Sequence, residues 1–263
     1  MLKIVYPICC GIDVHKKQVT CTVAITDIES ITTYKTKQFS TMTYDLKNLK
    51  QWLLSFNCKD VCMESTGKYW IPVFNILEDS CNITICHPKY VRAILGKKTD
   101  KKDSIWIADI FKHGLVQGSF MPPKQIRELR DLMRYRFKLV NLKSSEKNRF
   151  QNSLTVSNVM ISNILSDTFG KTSMDILSLM LNNKSLSEED LKPLIRQHVK
   201  ASPEEILQSI DGTFSNFQNQ KMKVILNHYG DVISCINDIE KSVIELALPY
   251  KKELNLILTI PRY

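Results

Sequence analysis

No apolar run in this 263-residue chain approaches the roughly 18–20 residues that a bilayer crossing demands. Residues 1–12 are apolar but lack the three-part pattern of a secretory signal, and Asp13 and His15 follow at once. A cytoplasmic protein with no membrane partner is expected. There is no repeat of fixed period and no low-complexity tract. With 43% hydrophobic and 24% charged residues, disorder and collagen-like structure are excluded. A zinc pattern is missing too: Cys58/Cys62 and Cys81/Cys86 have the wrong spacing for a ribbon, and Cys86-His87 has no second half. The cysteines at 9, 10, 21, 62 and 86 lie in apolar, strand-like stretches and read as small core residues in a reducing compartment. Thr66-Gly67-Lys68 lacks both the upstream glycine and the following Ser or Thr of a phosphate loop.

What the chain does have is unevenly placed positive charge. It carries 36 Lys and Arg against 27 Asp and Glu. Residues 89–149 hold 16 basic and 6 acidic side chains, while the rest of the chain is nearly balanced at 20 against 21. Charge concentrated in one segment marks a polyanion binder, most often of nucleic acid, although a solvated helix face has the same composition.

The first ninety residues alternate between strand and helix patterns. Residues 3–14, 18–26 and 32–40 read as three consecutive strands, the second alternating with period two and the third more weakly so. Residues 44–56 have helical spacing, 60–63 form a short strand, 69–78 a helix and 82–86 another strand, and a basic helical stretch starts at Pro88. The expectation is an α/β domain over 1–120, a mixed RNase H-like (RuvC-like) sheet covered by helices.

From Pro122-Pro123 the pattern turns helical. Residues 124–152 predict one long helix with an apolar stripe at Ile126, Leu129, Met133, Phe137 and Val140, close to a coiled-coil seam. Arg127, Arg130, Arg134 and Lys138 form a basic stripe beside it. Shorter helices are expected over 173–181, 187–199 and 202–210, and a hairpin of helices 214–227 and 231–248 turning at Gly230. A coiled-coil-like region over 121–210, offering a surface for a homo-oligomer, and a last segment over 211–263 follow from this pattern.

Four acids stand out. Asp13 closes the first strand and Glu64 follows the fourth. Asp100 and Asp103, among Lys97, Lys98, Lys101 and Lys102, share one face at the start of a helix. In the expected sheet the first and fourth strands lie side by side, so the acids can gather at one edge and hold Mg²⁺ or Mn²⁺. Two such ions would serve phosphodiester displacement. The four lysines suit phosphate beside that site. Plainer roles exist for each acid, as turn residue, surface charge or helix cap. His15 suits a phosphate contact, proton transfer or a turn. Tyr69 and Trp70 suit base stacking or the core.

The segments Gly11-Ile12-Asp13-Val14-His15-Lys16, Glu64-Ser65-Thr66-Gly67-Lys68-Tyr69-Trp70, Lys98-Thr99-Asp100-Lys101-Lys102-Asp103 and Leu129-Arg130-Asp131-Leu132-Met133-Arg134-Tyr135-Arg136 together resemble the DEDD transposases of the insertion-sequence-110 family. The resemblance implies a RuvC-like nuclease domain with Asp13, Glu64, Asp100 and Asp103 as catalytic metal ligands. It also implies DNA transposition, guided in part of the family by a structured RNA from the element. In that family a second domain follows, opening with an Ile-Pro-Gly-type hairpin and supplying a nucleophilic serine. This sequence instead reads Thr259-Ile260-Pro261-Arg262-Tyr263, with no serine from 249 onward, so a truncated chain is expected. The alternatives are a catalytically incomplete nucleic-acid-binding remnant and a RuvC-like junction-resolving nuclease.

Overall fold

The computed structural model describes residues 2–65, 67–87, 99–182 and 185–261. The chain divides into two compact units, Met1–Pro122 and Pro123–Tyr263. In the first, β1 (Ile8–Val14), β2 (Gln18–Thr26) and β3 (Thr32–Ser40) form an antiparallel meander. β4 (Asp60–Glu64) and β5 (Asn82–Cys86) join parallel on the other side of β1, giving the order β3-β2-β1-β4-β5. This is the expected RNase H-like mixed sheet. β1 starts later than its apolar run because Pro7 has no N–H for a ladder. The backbone N–H groups of Val5 and Tyr6 donate to Lys112 O instead.

Alternation sorts each strand between two faces. Cys10, Ile12 and Val14 of β1 and Val61 and Met63 of β4 pack with Leu46, Leu49 and Leu53 of α1 (Thr43–Ser55) and with Val73, Phe74 and Leu77 of α2 (Trp70–Leu77). Cys9 and Cys62 face the opposite side, against Ile107, Ala108 and Phe111 of α3 (Asp100–Lys112). Asp13 and Glu64 share the parity of Cys9 and Cys62, so both strands end with a carboxylate on the α3 side. Trp70 packs at the edge of the first core, edge-on to Phe74, while Tyr69 is exposed.

Gly11 permits the close approach of α3. A Cβ there would lie 2.3 Å from Ala108 N and 2.4 Å from Ser104 O. A buried hydroxyl chain fixes the helix in place: Ser104 Oγ lies 2.8 Å from Thr22 Oγ1, which lies 2.9 Å from Thr36 Oγ1.

The second unit is helical. α4 (Lys124–Val156) is followed by α5 (Lys171–Leu181), α6 (Glu188–Leu191), α7 (Pro203–Ser209), α8 (Asn216–Ala247) and α9 (Lys251–Leu258). α4 and α8 run antiparallel. Gln125 meets Tyr250, Arg136 meets Glu240, Leu139 packs with Val232 and Ile236, and Glu146 meets His228. Phe150, Ile176, Leu177, Ile206 and Met222 centre the core at the other end.

Three helical expectations are corrected here. The hairpin expected at Gly230 is one continuous helix, whose antiparallel partner is α4. Gly230 faces open space, with nothing within 4 Å of the point where a Cβ would stand. One glycine costs a helix only about 1 kcal/mol, less than the seam on both sides of it stabilises. The expected 187–199 helix is helical only over Glu188–Leu191. Its capping box of Ser187 and Asp190 is present, but Pro193 has no N–H to continue the helical ladder. The expected α4 stripe also shifts. Met133 and Phe137 are exposed, the latter at 65%, while Leu139, Glu146 and Phe150 are buried. Arg136 and Glu146 occupy inward positions because α8 offers them Glu240 and His228, and counting apolar residues alone passes over such places.

Candidate metal centre

Asp13 is the deepest of the candidate acids, only 7% exposed at the end of β1. Neighbouring strand pairs align Ile12 with Met63, which places Asp13 and Glu64 one residue further on at adjacent strand ends. α3 completes the group. Thr99 caps it by accepting from Lys102 N at 3.3 Å, so Asp100 and Asp103 are free of capping duty and stand in its first turn.

The electrostatics follow from that gathering. Burial pushes the Asp13 carboxyl up to about 6, and Asp100, Asp103 and Glu64 push the same way against the opposing pull of His15. Three of the predicted acids thus raise the fourth, Asp13. Asp13 Oδ2 is buried without a hydrogen-bond donor among the described residues, and so is Thr20 Oγ1. Thr20 is the β2 partner directly across from Asp13. Two orphaned buried oxygens beside three further carboxylates suit a hard divalent cation and its water ligands.

The tightest donor set includes a residue that the acid pattern left out. Among the described residues, Asp13, His15 and Asp100 offer ligand atoms within 4.8 Å of one another. His15 Nε2 lies 3.2 Å from Asp13 Oδ2 and 3.4 Å from Asp100 Oδ1. Gln18 Nε2 donates to Asp100 Oδ2 at 2.6 Å. Glu64 and Asp103 are not in that closest set. Gln18 and Thr20 escaped the sequence reading because neither bears charge. The register of a β1–β2 hairpin was the one signal that could have placed Thr20 opposite Asp13.

Of the predicted basic residues, Lys101 and Lys102 are exposed in the first turn of α3, and Lys97 and Lys98 lie outside the described residues. Arg130, Arg134 and Lys138 are exposed on α4, with Arg127 half-buried beside them. Arg136, one step off the stripe, is tied to Glu240 at 2.6 Å. No helix among the described residues is long and apolar enough to cross a membrane.

The DEDD transposase family typified by insertion sequence 110, described as transposase, matches residues 10–158, more than half of the chain. The chain belongs to this family. The matched stretch contains all four acids and the basic stripe of α4. No curated protein matches the chain. Among solved structures, RuvC of Thermus thermophilus is similar at 10% identity and a TM-score of 0.34, covering 43% of this chain and 99% of its own. A Fowlpox virus resolvase, solved with Holliday junction DNA, is similar at 11% identity and a TM-score of 0.33, covering 41% and 99%.

Proposed function

We propose that this member of the transposase family binds DNA and cuts phosphodiester bonds with divalent metal held by Asp13, Glu64, Asp100 and Asp103. The observation that carries the reading is the Asp13 carboxylate, buried with an orphaned oxygen and surrounded by the charges of the other three. Burying a carboxylate among its like is costly unless positive charge joins it. Oxygen donors of this kind suit Mg²⁺ or Mn²⁺. When bound, two such ions would stabilise the attacking and leaving oxygens of an in-line displacement.

The chain's own residues orient and hold. Strand pairing fixes Asp13 and Glu64, and Gln18 fixes one oxygen of Asp100. Lys101 and Lys102 grip phosphate beside the carboxylates, with Lys97 and Lys98 proposed for the same task. Arg127, Arg130, Arg134 and Lys138 contact backbone phosphates, which positions nucleic acid without reading its sequence. A structured guide RNA and a second copy of the chain, joined through the helical region, complete the proposed partners.

The test is metal binding by calorimetry together with Mg²⁺-dependent cutting of element-end DNA and of a four-way junction. Asp13→Asn and Glu64→Gln should abolish both metal binding and cutting while leaving circular dichroism unchanged. Unaltered metal affinity in both variants overturns the reading. Preference for the four-way junction would favour a resolving nuclease, and binding without cutting a nucleic-acid-binding remnant.

A further inference from the structure

We infer that His15 supplies a nitrogen ligand to the cation held by Asp13 and Asp100, giving the centre a mixed nitrogen and oxygen donor set that favours Mn²⁺ over Mg²⁺. The inference rests on the carboxylate reading above and adds to it a residue outside the four acids. Its ground is geometric. His15 Nε2 stands 3.2 Å from Asp13 Oδ2 and 3.4 Å from Asp100 Oδ1, facing both carboxylates at once. Asp13 Oδ2 is buried and accepts no well-formed hydrogen bond among the described residues, while His15 Nε2 stands at ion-pair distance from it. Adjacent ligands of an octahedral ion with bonds of about 2.1–2.2 Å stand about 3 Å apart. The two distances from His15 are already close to that spacing, and all three ligand atoms lie within 4.8 Å of one another.

The backbone holds this arrangement. His15 N donates to Gln18 O at 2.9 Å, closing the β1–β2 turn. Thr41 N and Thr41 Oγ1 donate to Lys17 O and Lys16 O at 3.3 and 3.1 Å, tying the turn to the end of β3. The same turn presents Gln18, whose 2.6 Å bond occupies Asp100 Oδ2 and leaves Oδ1 toward His15. The His15 side chain is half exposed, at 49%, so an ion can enter from solvent. Ligation through Nε2 requires the ring proton on Nδ1. Imidazole is a better donor to Mn²⁺ than to Mg²⁺, which holds to oxygen and water.

The experiment uses the full chain loaded with Mn²⁺. Pulsed electron paramagnetic resonance should show the ¹⁴N modulation of a bound imidazole, and His15→Gln should remove it. Calorimetry on the same variant should show Mn²⁺ affinity falling at least about tenfold more than Mg²⁺ affinity, as loss of a ligand would produce. His15→Asn, with folding checked by circular dichroism, repeats the measurement with a shorter side chain. If wild-type protein binds Mn²⁺ without imidazole coupling while Asp13→Asn still abolishes binding, the carboxylate centre stands and the His15 inference is wrong. If wild-type protein binds no Mn²⁺, the carboxylate reading itself falls and this inference with it.

Discussion

Gln18 and Asp100 meet across 82 residues of sequence in a 2.6 Å hydrogen bond that joins the start of β2 to the first turn of α3. The bond uses one oxygen of a carboxylate whose other oxygen turns toward His15. Gln18→Ala removes the donor and lets the Asp100 side chain swing. Outer partners of metal ligands are typically worth roughly 10–100-fold in metal affinity, so a loss of that size is expected by calorimetry with an unchanged far-ultraviolet spectrum. An unaltered affinity would make Gln18 a surface residue with no bearing on the site.

The Asp13 carboxyl, raised to about 6 from an ordinary 3.8, makes the metal-free protein sensitive to pH. A carboxyl that holds its proton more tightly when folded penalises the folded state once ionised. The penalty is absent below the unfolded value and complete above the folded one. Metal-free protein should therefore lose stability as pH rises from about 4 to about 7, by at most roughly 3 kcal/mol from this group. Asp13→Asn should melt higher than wild type in chelator at pH 8 and show a flatter dependence. Calorimetric melting across that range decides it, and equal slopes for the two proteins would contradict the burial argument.

Gly11→Ala places a methyl group 2.3 Å from Ala108 N and 2.4 Å from Ser104 O, both backbone atoms. Since neither is the mobile end of a side chain, α3 must shift as a body. Overpacking of this kind costs about 1–3 kcal/mol or more, read as a lower urea midpoint, and should weaken metal binding because Asp100 and Asp103 move with the helix.

Replacing Arg127, Arg130 and Arg134 together should weaken DNA binding across unrelated sequences. The slope of log affinity against log salt should flatten by about 0.9 for each phosphate that is no longer neutralised. A triple variant that keeps the wild-type slope would assign the stripe a structural role.

Gly230→Ala separates a continuous α8 from a turn at that position. In a helix interior with open space around the site, alanine should stabilise by about 0.5–1 kcal/mol in thermal melting. A turn at 230 would instead lose stability on the same substitution.

Much of the fold was legible in local pattern. Local pattern bounded β2 and β3 to the residue and set Asp13 and Glu64 at strand ends, while the expected RNase H-like strand order made those strands neighbours. Local signals also placed Asp100 and Asp103 together on one helix face, because residues three apart always share it. What local pattern could not carry was the meeting of elements far apart in sequence. Whether α3 comes close enough to bring Asp100 to His15 depends on the absence of a side chain at Gly11 and on the Thr22–Ser104 contact, neither of which has periodicity. The partner of α8 was hidden for the same reason: a glycine reads as a turn until α4 supplies a seam that outweighs its cost. Arg136 and Glu146 face inward only because Glu240 and His228 stand opposite them. Strand and helix were thus set by side-chain spacing along the chain, whereas the donor set around Asp13 was decided by packing, since only tertiary contact determines which charges are buried together.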